Sequence, residues 1–393
     1  MTKRILLLLI IFIIAGIKIP AWGVCVSENF ATNDTIASSD SIIHTETTRQ
    51  SWYNRKIKPA FKSIARFFSP EFDSTYIESQ KYNFTVMALC ERNDDHFILS
   101  STDKKEGTSY YIDMAPKSSV QFGPYFGWRW LFYGYTFNLS TIKLNNSGID
   151  INFNIYTPSL GIDLIYRDLG DNYRIRKMDT NNESITKSVE GLSVSGLDID
   201  ILGVKAFYIV NPKRYSHQAI FNQTNRQIKS AGSWLFGTGW YKNSISMDWD
   251  RFSANINSNT NITLDHDFND STLFFRKIVY SSVPITAGYG YNWVFSRNWA
   301  AGAQVLGSVS YMWTYSDAKQ TSFSLKKMIN SMSFSNFALD GALRIGVVWN
   351  NSQWFAGVDA IYNTYNYRNK YLKVANIFGT INLYAGFNFW KRK

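Results

Sequence analysis

Charges set into otherwise apolar, alternating stretches are the first residues here that could do chemistry. Arg344 lies on the Ala342, Gly346 and Val348 face of its stretch, opposite Leu343, Ile345, Val347 and Trp349. Asp359 lies opposite Trp354, Ala356, Val358, Ala360 and Tyr362. Asp163 and Arg167 share a face opposite Leu160, Ile162, Leu164 and Tyr166. Arg129 stands between Trp128 and Trp130 in the aromatic run FGPYFGWRWLFYGYTFNLS, residues 122–140. Successive side chains of a strand point to opposite faces. Arg129, Asp163, Arg167, Arg344 and Asp359 would then line one interior as an ion-pair network. Such a network could form a selectivity lining or a binding site, or simply fill a narrow barrel.

A second group is concentrated in NPKRYSHQAIFNQTNRQIKS, residues 211–230. It holds Lys213, Arg214, His217, Arg226 and Lys229 and no acid. Folded inward it would act as a constriction, or it would bind an anionic group such as a lipid phosphate; the plain alternative is a solvated strand and turn. Enzymatic chemistry has little to stand on. Of the four histidines, His44 is in a polar tail and His96 and His266 fall in loop-like segments. Ser216 and His217 are adjacent and would face opposite sides of a strand, so they do not form a dyad with each other. A catalytic residue is therefore not assigned, although a membrane-embedded hydrolase acting on lipid or lipopolysaccharide is kept as the alternative through His217. No metal-ligand spacing or phosphate-binding glycine loop points to a cofactor.

The elements that must carry these residues are strands. Ile149, Ile151, Phe153 and Ile155 alternate with Asp150, Asn152 and Asn154, and residues 285–295 and 301–313 alternate in the same way. So does the last stretch, with Ile381, Leu383, Ala385, Phe387 and Phe389 against Thr380, Asn382, Tyr384 and Asn388. A soluble sandwich buries the apolar face, whereas a transmembrane barrel turns it to lipid. Sandwich strands commonly have about five or six residues and membrane strands about 9–11. The runs 283–297 and 299–313 meet the longer requirement, and Trp293, Trp299, Trp313, Trp349, Trp354 and Trp390 near run ends suit interfacial girdles. Ser296–Asn298 and Asn350–Gln353 read as short Asn-rich turns, while 314–335 reads as a long external connection. The expected fold is all-β: a closed antiparallel transmembrane β-barrel of about a dozen strands, within a range of roughly 10–14.

Composition agrees with this architecture. The chain has 393 residues, is 17% aromatic and only 18% charged, and its mean hydropathy is −0.20. Residues 1–23 read as a signal peptide: Lys3 and Arg4 precede the apolar run Ile5–Ile17, and Ala21 and Gly23 supply the small residues before cleavage. Residues 24–50 read as a flexible periplasmic tail. Residues 51–69 read as an amphipathic helix, with Tyr53, Ile57, Phe61, Ile64 and Phe68 on one side and Arg55, Lys58, Lys62 and Arg66 on the other. The barrel itself is expected over 76–393. With only Cys25 and Cys90, disulfides do not organise the fold. The formal charge of +11 fits an anion-preferring interior or an acidic lipopolysaccharide partner in the outer membrane. Nucleic acid is not an expected partner, and a monomeric barrel is expected, with its N-terminal tail and C-terminus in the periplasm.

FGPYFGWRWLFYGYTFNL at 122–139, LGIDLIYRDLGDNYRIR at 160–176, NQTNRQIKSAGSWLFGTGW at 222–240 and AGYGYNWVFSRNWAAGA at 287–303 resemble an uncharacterised Bacteroidota family. It is known as domain of unknown function "forty-four twenty-one". The resemblance runs in order over about residues 72–390. It implies an exported outer-membrane β-barrel and carries over no catalytic residue. The leading expectation is a non-enzymatic narrow pore, or a binding or structural barrel, with a basic polar lumen.

Overall fold

The computed structural model describes residues 71–102, 109–116, 120–128, 131–134, 137–138, 149–168, 173–179, 189–194, 196–259, 276–315, 336–368 and 372–392. The signal peptide, tail and amphipathic helix expected over 1–69 lie outside the described residues, as do Arg129, His44 and His266. The described chain opens with β1 (Ile77–Ser79), β2 (Tyr82–Asn93) and β3 (His96–Thr102), followed by β4 (Ser109–Pro116) and β5 (Val120–Trp128). Next come β6 (Leu131–Gly134), β7 (Phe137–Asn138), β8 (Ile149–Tyr156), β9 (Leu160–Asp168), β10 (Tyr173–Asp179) and β11 (Ser193–Val194). β12 (Leu197–Ile209) leads to the short helix α1 (Gln218–Phe221), β13 (Asn225–Gln227), β14 (Ala231–Met247) and helix α2 (Trp249–Asn259). The chain closes with β15 (Lys277–Ser296), β16 (Trp299–Tyr315), β17 (Phe337–Asn350), β18 (Trp354–Arg368) and β19 (Leu372–Lys391). The fold is all-β and antiparallel, as the alternation predicts.

β12, β14, β15, β16, β17, β18 and β19 pair in that order, each consecutive pair antiparallel. β19 then pairs with β3 over Leu372–Ile377 and with β2 over Thr380–Lys391, so β2 and β3 are two parts of one long strand broken at Asp94–Asp95. β4 and β5 continue in the same way along β3 and β2. From there the pairing divides. β4 pairs with β10, whose other edge holds β11, two residues before β12. β5 pairs with β6 and β7, while β8 pairs with β9 and β9 with β12.

The short connections lie together at one end, and their chemistry explains them. Asn298 and Ser352 adopt left-handed φ values of 67° and 78°, a region that Asn tolerates better than most residues. The Asn350 carboxamide accepts from the Ser352 amide, and the Asn351 carboxamide accepts from the Gln353 and Trp354 amides. These side-chain turns close β17–β18 without spending ladder residues.

Burial follows the strand period, but inverted relative to a soluble protein. Ile285 and Leu339 are each 73% exposed and Val305 is 63% exposed, whereas Gln304 is 1% and Arg344 4% exposed. The apolar core is confined to the other face. Its largest cluster lies at the end away from the short turns and joins Phe97, Leu99, Ile112, Met114, Tyr173, Ile199, Tyr241, Tyr280 and Phe378. Helix α2 adds Trp249, Phe252 and Ile256, spaced to fall on one side. Its first turn is capped by Asp248, whose carboxylate accepts from the Arg251 amide at 3.1 Å.

Candidate functional site: a buried polar network behind an inserted segment

Residues 210–230 leave β12 and return to β14 at the short-turn end, but they do not form a surface hairpin. Tyr215, Ser216, His217, Gln218, Ile220, Gln223, Asn225 and Gln227 are buried. The segment is tied to strands on several sides. The Gln218 amide donates to Tyr156 O of β8, Asn292 of β15 donates to Ser216 O, and Asn350 of β17 donates to Gln223 Oε1. The Gln223 amide also donates to Tyr384 Oη of β19 at 2.9 Å. Ile220 packs into an apolar group with Leu89, Val348, Phe355 and Tyr384. So many side-chain bonds to different strands explain why a segment this polar can be buried at all.

His217 is, with Tyr215, one of two ionisable groups of the segment that are almost fully buried. Its ring lies edge-on to Tyr156 and Phe207, with centroids 4.6 Å and 5.3 Å away. Arg344 Nη1 is 3.4 Å from His217 Nε2. One end of the Gln304 amide is 2.6 Å from both His217 Nδ1 and Tyr215 Oη. Arg344 can only donate, so Nε2 of a neutral ring accepts and Nδ1–H must donate to Gln304. That assigns the Gln304 carbonyl oxygen to the shared end, where the Tyr215 hydroxyl donates as well.

Arg344 of β17 joins this cluster to β9. Its Nη2 donates to Asp163 Oδ2 at 2.7 Å and its Nη1 donates to Tyr156 Oη at 3.3 Å. Tyr156 in turn donates to Asp163 Oδ1 at 2.7 Å. The guanidinium also lies over the Phe207 ring, 5.6 Å from its centroid. Arg167 pairs instead with Asp95 at 3.3 Å and lies 5.0 Å over the Phe378 ring. Asp95 reaches inward because it sits at the break between β2 and β3. Asp359 accepts from Asn382 at 2.9 Å. Asp163, Arg167, Arg344 and Asp359 are thus all buried, in two ion pairs and one carboxylate–amide contact.

The five basic residues of the inserted segment do not converge. Only His217 is buried; Lys213, Arg214 and Lys229 are exposed, and Arg226 is half-buried. Arg214 faces Asp73 at 3.6 Å, and Arg214 and Lys229 lie over the Tyr76 ring. Arg226 pairs with Glu78 of β1 at 2.6 Å. They form no single anion site because the long cations stay at the solvent side while the shorter amide and aromatic side chains enter. Burial favours the neutral form of the Glu78 carboxyl, but hydrogen bonds from Lys81 and Ser352 and the Arg226 charge outweigh it and hold the pKa below the usual carboxylate value.

Two expectations about histidine are corrected or narrowed. His96 is not in a loop: it opens β3, where its ring meets Asp113 at 3.2 Å and Arg176 at 2.8 Å. His217 makes no bond to Ser216, whose hydroxyl donates to Asn225 at 2.5 Å. Tyr156, Lys205, Asp95 and Gln304 were not singled out from sequence.

A cavity of about 410 Å³ lies beside this network. The inserted segment contributes Phe221, Asn222 and Gln223 to its wall, and Ile201, Tyr365 and Phe378 of the large apolar cluster contribute from elsewhere. Its charged lining is Glu91, Asp163, Arg167, Lys205, Arg344 and Asp359.

One family model matches residues 71–389, a span that takes in the network and the inserted segment. The chain belongs to the family described as Domain of unknown function (DUF4421). No curated protein matches this DUF4421 chain. Among solved structures, it is similar to the outer membrane protease OmpT from Escherichia coli at 7% identity and a TM-score of 0.30, covering 79% of this chain and 97% of that one. It is also similar to the Pseudomonas putida toluene transporter TodX, at 7% identity and 0.20 over 79% and 91% of the two chains. The Pseudomonas aeruginosa outer membrane protein OprG gives 10% identity and 0.23 over 80% and 99%. At such identities and scores no activity passes from these proteins to the DUF4421 chain.

Proposed function

We propose that this DUF4421 protein is an exported outer-membrane β-barrel whose lumen is stoppered by its own residues 211–230. It would hold a ligand or open on demand rather than conduct freely. The observation that carries this reading is the inverted burial: Ile285, Val305 and Leu339 face outward while Gln304, Arg344 and Asn292 face inward. An outward apolar surface of that extent is a liability in water and a requirement in lipid. In this reading the barrel has twelve staves. They are β2 with β3, β4 with β5, β6 with β7, β8, β9 with β10, β11 with β12, and β14 to β19. The wall closes through β10, which pairs with both β4 and β11, and the cavity being lined by Tyr125 of β5 and by Asn154 and Tyr156 of β8 supports closure on the other level.

The short turns and the inserted segment then face the periplasm, with the signal peptide removed and the N-terminal tail and C-terminus on that side. The outward carboxylates Asp168, Asp198 and Asp200 lie within 4.8 Å of one another near the opposite end, where they mark strand already clear of the hydrocarbon. Outer-membrane lipid surrounds the girdles, and lipopolysaccharide is the neighbour at the external end. The reading is non-enzymatic and monomeric: His217 is occupied by Gln304 and Arg344, which takes away the base that a lipid hydrolase would need.

Conductance of the purified protein in planar bilayers tests this. The intact protein should give no steady channel, and a variant with residues 212–228 replaced by a short glycine–serine turn should give one. Steady conductance from the intact protein sinks the stopper.

A further inference from the structure

Lys205 is the unexplained charge of the interior. It sits on β12 with Ile201 and Phe207 on the same face, and it is 5% exposed. Among the described residues its ammonium has no hydrogen bond and no ion pair. Its cross-strand neighbour Asp163 is one candidate partner, but that carboxylate is taken by Arg344 and Tyr156. Asp340 is held by the Ser310 hydroxyl and the Asn366 amide. Lys205 lines the 410 Å³ cavity, and it also lines a neighbouring space of about 10 Å³ against Asp340 and Thr286. A buried ammonium without a partner is costly, and three donors facing a cavity call for an acceptor there. The space beside Asp340 is about the size of one water, but the main cavity falls in the range of roughly 300–1,000 Å³ typical of small-molecule sites.

We propose that this cavity binds a small organic carboxylate, with its anionic group on Lys205. Arg344 is already paired with Asp163, so the free positive charge at that end of the cavity is the Lys205 ammonium. Ile165, Ile201 and Phe378 take the apolar body of the ligand. Glu91 and Asp359 come from β2 and β18, across the cavity from β12, so they repel the anionic group and fix its orientation. An inorganic anion satisfies Lys205 but leaves the apolar wall uncovered, so the class is organic. This deepens the stoppered-barrel reading and fails separately from it: conductance tests the stopper, and ligand binding tests Lys205.

The test is titration of the full mature protein in detergent with benzoate and, in a separate arm, with inorganic phosphate. Heat stability and calorimetry are the readouts. Benzoate should bind saturably and raise the melting temperature, with phosphate weaker. Lys205→Met should weaken benzoate binding about 10- to 100-fold, the loss typical of one charge-assisted bond. Lys205→Gln carries the same comparison should the Met variant fail to fold, and Lys242→Met on the exposed face should bind as the parent does. Equal benzoate affinity in the parent and the Lys205 variants overturns the proposal. So does phosphate binding as tightly as benzoate, or the absence of saturable benzoate binding in the parent at millimolar concentration.

Discussion

Arg344 and Asp163 meet at 2.7 Å although 181 residues separate them in the chain. They sit on β17 and β9, five pairings apart along the sheet, so the bond runs across the interior. Both groups are buried, and Tyr156 bonds to each. Removing one partner leaves a buried charge uncompensated, at a cost of about 3–5 kcal/mol. Arg344→Met alone should lower stability by about that amount, while the double variant Arg344→Met with Asp163→Leu should recover most of it, because two apolar side chains replace the pair. Guanidinium unfolding of the single and double variants in detergent measures the coupling. Equal losses in both would show that the pair acts independently of its charge.

The tie between the inserted segment and β1 should respond to acid. Glu78 accepts from Arg226 at 2.7 Å and from Ser352 at 2.9 Å. Its folded-state pKa is depressed below 4.5, so its contribution is fully present above the unfolded value and is lost as pH falls through the folded one. Between neutral pH and about pH 5, Glu78→Gln should cut faster with trypsin at Arg226 and Lys229 than the parent does. Read by amide hydrogen exchange of residues 226–229 in variant and parent at each pH, the difference should shrink only as pH falls below 4.5. A difference unchanged down to pH 3 would mean that the carboxylate charge is not what holds the segment.

How much of this could be read beforehand depended on what each strand packs against. On β16 and β17 one face is apolar and outward and the other polar and inward, so alternation alone separates Arg344 from Leu343 and Ile345. On β12 the rule misleads. Its inward face reads Leu197, Ile199, Ile201, Phe207 and Ile209, because this strand packs on the apolar cluster and on Tyr215, while its outward face carries Asp198 and Asp200. Lys205 therefore interrupts an apolar face that a polar-inward rule assigns to lipid. Asp95 was hidden differently, since it lies at a break where the period of two is lost. The inserted segment was legible as polar and basic, but not the division of its cations from its amides, which only tertiary bonds to Tyr156, Asn292, Asn350 and Tyr384 determine.

Close approach of backbone to the inserted segment gives a steric prediction. A Cβ built at Gly302 of β16 would lie 2.7 Å from Ile220 Cγ1 and 2.8 Å from Asn292 Oδ1. Ile220 is fully buried and has nowhere to retreat. Gly302→Ala should therefore cost about 1–3 kcal/mol as overpacking. The strain should fall on the segment, raising trypsin cleavage at Lys213 and Arg214. Ile220→Ala in the same chain removes the two Ile220 atoms and leaves only the Asn292 contact, so the double variant should be less affected than the sum of the two single ones. Strict additivity would mean that Ile220 does not pack against Gly302.

The membrane reading itself is tested on the outward face. Val305 lies midway along β16 between Trp299 and Trp313, and its neighbour across the pair is Tyr289 of β15. If this face meets lipid, Val305 is near the bilayer midplane and Phe295 is in the girdle at the short-turn end. Arg at the midplane costs about 2–4 kcal/mol, falling to about 0–1 near the interface. Val305→Arg should thus destabilise the protein by about 2–4 kcal/mol in phospholipid vesicles, and Phe295→Arg by no more than about 1 kcal/mol. Both side chains are exposed, so in water neither substitution would breach a packed core, and the two would cost alike. Reversible guanidinium unfolding in vesicles distinguishes the cases: a depth-dependent penalty requires lipid against β16, and equal small penalties would overturn the membrane reading.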